Sequence, residues 1–580
     1  MDRRLPARWG RALPGRAWIL VLLAIVFALT VRFRLRDMPL ERDEGEYAYV
    51  GQLLLAGTPP YQEACNMKLP GTYLAYALSM AVFGQTPTGI HLGLALVNAA
   101  TIWLLYRLGR RLLDAVAGAV AAVSYALMAL SPDVLGLAGH ATHYVVLPAV
   151  GGLLMLLNAL EKRSAWRHFA AGSLFGLAFV MKQHGVFFGL FGGLYLLWVR
   201  WAAAKLVPGD GGLGTRRFPR RRAGSSRSLD WRGLTRELGS YSAGCVCPYL
   251  LVCLWLWAAG VFPEFWFWTV TYGRQYATGI PLVDASDMIS TMLRTVVGPN
   301  LVFWLLPWVG ALMLWWDERL DRDARFFLVS LLACSGLALS VGFYFREHYF
   351  ILLLPALALL IAVAVSRSLQ LLRGDQSVEL FLALGVVGVA GVALALVLFG
   401  NGAIWYTLSP EQAVNRIYRS TLFSDARRAA SLIAADTQPD DRVAVLGSEP
   451  EIYFYARRRS ATSQIYMYPL MERHPYAAQM QADTITQIER AQPAYVVFVH
   501  NPFSWLTRPD SEPALLDWWP GYWEKHYALV TTINSQTVLP ETSAQPAAAT
   551  PAARDYLLLL KRKTAATGGP AAAGEKSPER

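Results

Sequence analysis

Four carboxylates fall within six residues in Glu41-Arg-Asp-Glu-Gly-Glu46, followed at once by Tyr47-Ala-Tyr49. Carboxylates this close repel one another. Partly withdrawn from water in a cleft, they serve as general bases or cation ligands; in open solvent the same run is an ordinary acidic loop. His140 and His143 are three apart, which puts both imidazoles on one helical face, with Asp133 nearby. That spacing suits a metal ion, but it fixes no third ligand, and no metal site is assigned. The residues require no cofactor and are compatible with a divalent cation. Isolated cations interrupt apolar stretches at Lys182, in Met181-Lys-Gln-His184, and at Arg346, in Phe345-Arg-Glu-His-Tyr349. A charge in such a place is costly unless it lies at an interface or is used.

The elements that must position these groups are membrane helices. The chain has 580 residues, of which 54% are hydrophobic and 16% charged, against about 25% charged in soluble domains. Apolar runs long enough to cross a bilayer recur near 18–31, 88–107, 113–130, 143–160, 168–181, 185–199, 239–260, 297–316, 326–344, 348–366 and 378–400. About eleven spans are therefore expected over residues 1–400. Lys and Arg crowd the loops on one side, above all 200–238 with Arg216, Arg217, Arg220, Arg221 and Arg222. The positive-inside bias puts that loop and the N-terminus in the cytoplasm of a multi-pass inner-membrane protein. Arg32, Arg34 and Arg36 run against it. The net charge of +12 has its source in these loops and in contact with anionic membrane lipids, and no nucleic-acid partner is expected. The five cysteines form no disulfide framework.

The first outer loop, 32–84, holds the acid cluster. There Tyr47, Val50, Leu53 and Leu54 make a helical apolar stripe that would dock the segment on the membrane surface, and 71–83 is too short to span and reads as an interface helix. Beyond residue 401 the apolar runs shorten to strand length at 442–447, 494–500, 527–533 and 555–560, with helices near 411–436, 449–457 and 480–491. Ser448 and Glu451 are spaced for a capping box on the middle one. A small α/β extracytoplasmic domain over 401–563 is expected, with an extended loop at 536–553 and a disordered tail at 564–580.

The order Asp43-Glu44, Gly45-Glu-Tyr-Ala-Tyr49, Lys68-Leu-Pro70 and then an interface helix ending Val82-Phe-Gly84 resembles the GT-C superfamily of membrane glycosyltransferases. The nearest group there holds the protein O-mannosyltransferases and the lipid A aminoarabinose transferase. The likeness continues through Arg107-Leu-Gly-Arg-Arg111, Met181-Lys-Gln183 and His348-Tyr349, and is weaker around Gly447-Ser-Glu-Pro-Glu451. Lys-Leu-Pro departs from that group's Lys-Pro-Pro at its middle position. The resemblance implies a polyprenyl-phosphate sugar donor, an acceptor that is a glycan, lipid or protein, and inverting transfer at the outer face. Asp43 would then be the base, with Glu44 its structural or substrate-contacting neighbour. Lys68, Arg346 and Lys182, aided by His348 and Tyr349, would hold the leaving phosphate. His143, His140 or Asp133 would stand where that group carries a second-loop carboxylate. Plainer readings exist: Lys68 as a snorkelling lysine, Arg346 in a surface pair with Glu347. The aromatic run Phe262–Trp268, with Tyr272 and Arg274, reads as an interfacial belt or a substrate wall. A transporter or flippase for a lipid-linked saccharide is the alternative, but it calls for ionisable residues in mid-span.

Overall fold

The computed structural model describes residues 12–205, 230–316, 320–372, 377–534 and 555–563. The arginines at 216–222, the stretch 536–553 and the tail 564–580 lie outside the described residues. Among the described residues, sixteen α-helices precede residue 401: α1 (Ala12–Arg34), α2 (Arg42–Leu55), α3 (Gly71–Phe83), α4 (Pro87–Leu112), α5 (Ala115–Met128), α6 (Ala141–Lys162), α7 (Ala165–Met181), α8 (Val186–Lys205), α9 (Trp231–Ala258), α10 (Phe262–Trp266), α11 (Gly273–Ala277), α12 (Ala285–Val296), α13 (Leu301–Trp316), α14 (Arg322–Leu339), α15 (Leu354–Leu371) and α16 (Ser377–Gly400). Among the described residues, eight helical segments are long and apolar enough to cross a membrane, in α1, α4, α6, α8, α9, α13, α15 and α16. The other three expected spans are helical as α5, α7 and α14 but fall short in length or apolarity.

Residues with small side chains set the helix crossings. A Cβ on Gly172 of α7 would sit 2.0 Å from the Tyr241 carbonyl oxygen of α9, so only glycine lets these backbones meet. The three arginines that break the charge bias are tied to backbone rather than left facing lipid. Arg32 is buried and donates to the carbonyls of Ala129 (2.9 Å) and Gly136 (2.8 Å), while Arg34 donates to Leu408. Arg32 and Arg34 fasten the end of α1 to the segments after α5 and α16, whereas Arg36 donates to Phe33 O (2.8 Å) in its own turn.

After α16 come α17 (Pro410–Tyr418), α18 (Leu422–Ala435), α19 (Glu451–Ala456), α20 (Tyr468–Met471), α21 (Ala477–Ala491), α22 (Pro502–Trp505) and α23 (Ala514–His526). The strands are β1 (Arg442–Leu446), β2 (Arg459–Ser460), β3 (Tyr495–His500), β4 (Tyr527–Ile533) and β5 (Tyr556–Arg562), in the order β2-β1-β3-β5-β4. β1 runs parallel to β2 and β3, and β5 is antiparallel to β3 and β4. The expected Ser448–Glu451 capping box does not form. Ser448 Oγ donates to Ser504 O (2.6 Å) and accepts from Met467 N (3.0 Å), and α19 starts behind Pro450 with no side-chain cap. The capping box lies instead on α2, where Glu41 accepts from Glu44 N (2.9 Å) and Glu44 reaches back to Glu41 N. That box starts the helix that carries the acids.

α2 does not lie on the membrane surface as its stripe suggests. It is packed between α3 and the α/β unit: Tyr49 stacks near Tyr453 (5.1 Å) and accepts from Ser460 N (2.8 Å), and a Cβ on Gly45 would lie 2.6 Å from that of Glu451. The apolar side chains that the stripe predicts are buried under protein because the α/β unit offers more apolar contact than a head-group layer does. α3 leaves Leu74, Leu78 and Val82 exposed along one face, as an interface helix would.

Candidate functional site

A cavity of about 1230 Å³ opens where these elements converge. Its wall is built from the loops that follow α1, α2, α5, α7 and α14 together with the carboxyl-end edge of the parallel strands. Asn501 follows β3, and Tyr466 and Tyr468 follow β2. Carboxyl ends of parallel strands leave backbone and loops free to meet a ligand.

Asp43 stands on the first turn of α2 with a side chain 21% exposed to this cavity. Its Oδ1 accepts from Lys68 Nζ (2.6 Å) and Tyr466 OH (3.0 Å), and its Oδ2 lies 3.6 Å from His140 Nδ1 and 3.9 Å from His348 Nε2. Burial alone would push this carboxyl up. Lys68 above all, with His140 and His348, reverses that and holds it well below the usual range. Asp43 is therefore a carboxylate at neutral pH. Lys68 is neither a snorkelling lysine nor free. It sits between Asp43 and Glu46 (2.7 Å), and Glu46 is fully buried and also accepts from Asn66 Nδ2 (2.9 Å) and Tyr73 OH. Burial raises the Glu46 pKa, with Lys68 opposing, and pushes Glu41 up to about 7.

Glu44 does not face the cavity. It is 0% exposed and accepts from Gly139 N and, at 3.1 Å, bonds His91 Nε2, so it tethers α2 to α4 and to the loop after α5. These contacts are those of the structural neighbour of Asp43 rather than of a cavity-lining group. His143 also turns away: its Nε2 bonds the Gly136 carbonyl (3.1 Å) because His140 ends the preceding loop as the cap of α6, and so the two rings do not share a helical face. Asp133 reaches the cavity wall but accepts from Asn300 Nδ2 (2.7 Å) and Ser131 Oγ (3.1 Å). The expected His140–His143–Asp133 grouping is therefore replaced. His140 stacks on His348 with ring centroids 4.1 Å apart, and both face Asp43. Asp43, His140 and His348 have one ligand atom each within 4.8 Å of one another, the described residues best placed to hold a divalent cation. Among the described residues neither ring nitrogen of buried His140 has a hydrogen-bond partner, so both can serve as ligand or donor atoms. Burial and the charges of His140 and Lys182 hold His348 well below its usual pKa, whereas Glu41 and Asp43 raise that of His140 against burial.

Lys182 and Arg346 line the same cavity as Asp43. Lys182 Nζ lies 4.0 Å from the centre of the Tyr349 ring. Burial pushes its amine down to about 7, with Asp43 opposing and Lys68 and Arg346 adding to the fall. Arg346 rests 5.8 Å from the Tyr344 ring, and the expected ion pair with Glu347 is not made among the described residues. The run Phe262–Trp268 packs away from the cavity, whose lining takes Thr269 and Tyr272 from just beyond it. Residues 267–272 form a π-helical turn that aims Tyr272 into the cavity, where it donates to Glu472, while Arg274 stays outside. Sequence reasoning missed Glu46, Tyr466, Glu472, Arg416 and Arg419 as lining or partner groups. Only Glu46 carries a signal, its i+3 spacing from Asp43.

Residues 68–208 match the family model described as dolichyl-phosphate-mannose-protein mannosyltransferase. An undecaprenyl phosphate-alpha-4-amino-4-deoxy-L-arabinose arabinosyl transferase of Pseudomonas aeruginosa strain LESB58 is 29% identical over 362 residues, and that of strain PAO1 is 28% identical. Each match spans 59% of this chain and 59% of the relative, less than two thirds of the relatives' length. The crystal structure of ArnT from Cupriavidus metallidurans bound to undecaprenyl phosphate aligns over 94% of this chain and 98% of its own, with TM-score 0.55 and 17% identity. These matches make the chain similar to the O-mannosyltransferase and aminoarabinose transferase group that its motifs resemble. The archaeal oligosaccharyltransferase AglB from Archaeoglobus fulgidus shares the GT-C fold at TM-score 0.50 and 13% identity, over 83% of this chain and 69% of its own. The arrangement of membrane helices followed by a small C-terminal sheet is thus the fold of GT-C membrane enzymes. His348 closes the cavity that Asp43 lines from a loop more than 300 residues later.

Proposed function

We propose that this chain is a membrane glycosyltransferase that moves a sugar from a polyprenyl-phosphate-linked donor to a hydroxyl or amine of a glycan, lipid or protein acceptor at the outer face of the cell membrane. The observation that carries this reading is the set of charges gathered in one cavity. An ionised Asp43, held by Lys68 and Tyr466, shares the lining with Lys182 and Arg346, for which no carboxylate partner lies within 4.0 Å among the described residues. A phosphodiester donor seated against these cations presents its anomeric carbon toward Asp43. The acceptor oxygen or nitrogen attacks that carbon from the Asp43 side as its proton passes to the carboxylate. The carbon–oxygen bond to the phosphate breaks on the far side, and its electron pair leaves with the polyprenyl phosphate. Configuration inverts in this single displacement. The leaving group gains negative charge as the bond breaks, so cations held beside it stabilise the transition state more than the ground state. Lys68 has a different task from Lys182 and Arg346, because it is bonded to two carboxylates. It keeps Asp43 ionised and reaches the phosphate only by exchanging one of these partners.

The test is incubation of the full-length protein with a panel of polyprenyl-phosphate sugars and a membrane extract as acceptor source. Release of free polyprenyl phosphate with sugar appearing in the extract is expected, and Asp43→Asn should abolish both. Movement of intact lipid-linked sugar across a vesicle bilayer, with no cleavage, would sink the reading in favour of a flippase.

A further inference from the structure

The membrane bundle carries a second cavity, remote from the first. It has a volume of about 560 Å³ and is lined by Trp18 of α1, by Trp103, Tyr106, Arg107, Arg110 and Arg111 of α4, and by Leu154 of α6. His91 of α4 touches Glu44 beside the first cavity, and Arg107 lies sixteen residues further along the same helix, about 24 Å at 1.5 Å per residue. The two cavities are therefore at opposite ends of the bundle. Arg111 is engaged at 2.8 Å by Glu161. Arg107 and Arg110, one turn apart and exposed, face no carboxylate within 4.0 Å among the described residues. The Trp103 and Tyr106 rings lie 5.4 Å apart beside them, and Trp18, half exposed, closes the other wall.

We propose that this cavity binds the head group of an anionic phospholipid. Two guanidinium groups one turn apart offer planar forks to a phosphate diester, and a phosphate is the anion such forks fit best. Tryptophans flanking them hold the level where head group meets acyl chain, so the chains of the bound lipid run along the exposed apolar faces of α1 and α4, where Leu20, Leu23 and Leu96 stand open. A soluble anion would use the arginines but not the apolar faces. Basic clefts between membrane helices are a known form of lipid recognition, distinct from the diffuse attraction of a charged loop. The position at the far end of the bundle keeps this lipid separate from the donor, so the inference does not rest on the proposed activity.

The experiment is native mass spectrometry of the full-length protein, delipidated in detergent and titrated with phosphatidylglycerol or phosphatidylethanolamine. Wild type should retain phosphatidylglycerol about tenfold or more over phosphatidylethanolamine, the scale of one charge-assisted contact. Arg107→Gln with Arg110→Gln should erase the preference, and Arg232→Gln, which removes an exposed charge at the start of α9, should leave it intact. Should the double variant be lost in purification, Arg110→Gln alone gives the same reading at smaller amplitude. Equal retention of the two lipids, an unchanged preference in the Arg107 and Arg110 variants, or displacement of the lipid by millimolar inorganic phosphate would each overturn the proposal.

Discussion

Lys182 gives the proposed donor site a pH dependence whose sign follows from its surroundings. Its amine is pushed down to about 7 by burial and by Lys68 and Arg346, so in the empty site it loses its charge across the neutral range. An anionic donor phosphate placed against it favours the ammonium form, and donor binding therefore raises the pKa and takes up a proton. Affinity that depends on that proton is complete below the free-state value and is lost as pH rises through about 7 and on to the higher bound-state value. Over that window the donor KM should climb by up to about tenfold per pH unit, the slope of one linked proton. Acceptor KM should not follow. Lys182→Arg keeps a charge at every pH and should flatten the rise, whereas Lys182→Gln should be flat at a donor KM raised throughout. The assay is initial rates over pH 6 to 9 with donor varied at saturating acceptor. A wild-type donor KM that stays level across this range, or an identical climb in Lys182→Arg, would refute the assignment of Lys182 to the phosphate.

Asp43→Asn preserves size and hydrogen bonding but removes the base, so transfer should fall at least about 100-fold with normal membrane insertion, whereas Glu44→Gln should cost about 1–3 kcal/mol of stability in thermal unfolding while the folded fraction still turns over. Lys68→Met leaves Asp43 and Glu46 as neighbouring buried carboxylates and should destabilise by about 3–5 kcal/mol; adding Glu46→Gln should recover much of that loss, and a double variant no more stable than Lys68→Met would dismiss the shared ion pair. With the N-terminus cytoplasmic, a phosphatase fused at residue 230 should be inactive and one fused at residue 534 active, and equal activity at both would reject the proposed orientation.

The sequence exposed groups whose chemistry is local and hid groups whose partners come from far along the chain. The acid cluster, the interface helix and four of the five strands are visible as spacing and periodicity over a dozen residues. Lys68 is visible as a cation in the right loop, but its partners are not, because Glu46 looks like one more acid until α2 places it one turn from Asp43 on the same face. The histidines mislead for the reverse reason. His140 and His143 suggest a helical pair, yet α6 begins at Ala141, and so His140 pairs with His348 from a loop two hundred residues away. Ser448 and Glu451 fit a cap by spacing alone, but Ser504 competes for the same hydroxyl and takes it. The apolar stripe of α2 states that something will cover it and cannot say whether lipid or protein does.

That cover helps to decide how the site is set. Asp43 sits on a helix whose rotation by one residue would carry it about 100° away from the cavity, and Glu44, bound to His91 and Gly139, fixes that rotation from the side of the membrane bundle alone. The α/β unit also does so at four places: Arg42 to Ser448 O (2.7 Å) and Glu449 (2.8 Å), Tyr49 to Ser460, Gly45 against Glu451, and Cys65 N to Ser463 O (2.9 Å). It then adds the Tyr466 hydroxyl to the same carboxylate oxygen that Lys68 holds. The unit after residue 401 therefore helps to aim Asp43, and contacts made some 400 residues downstream set the geometry of this acid.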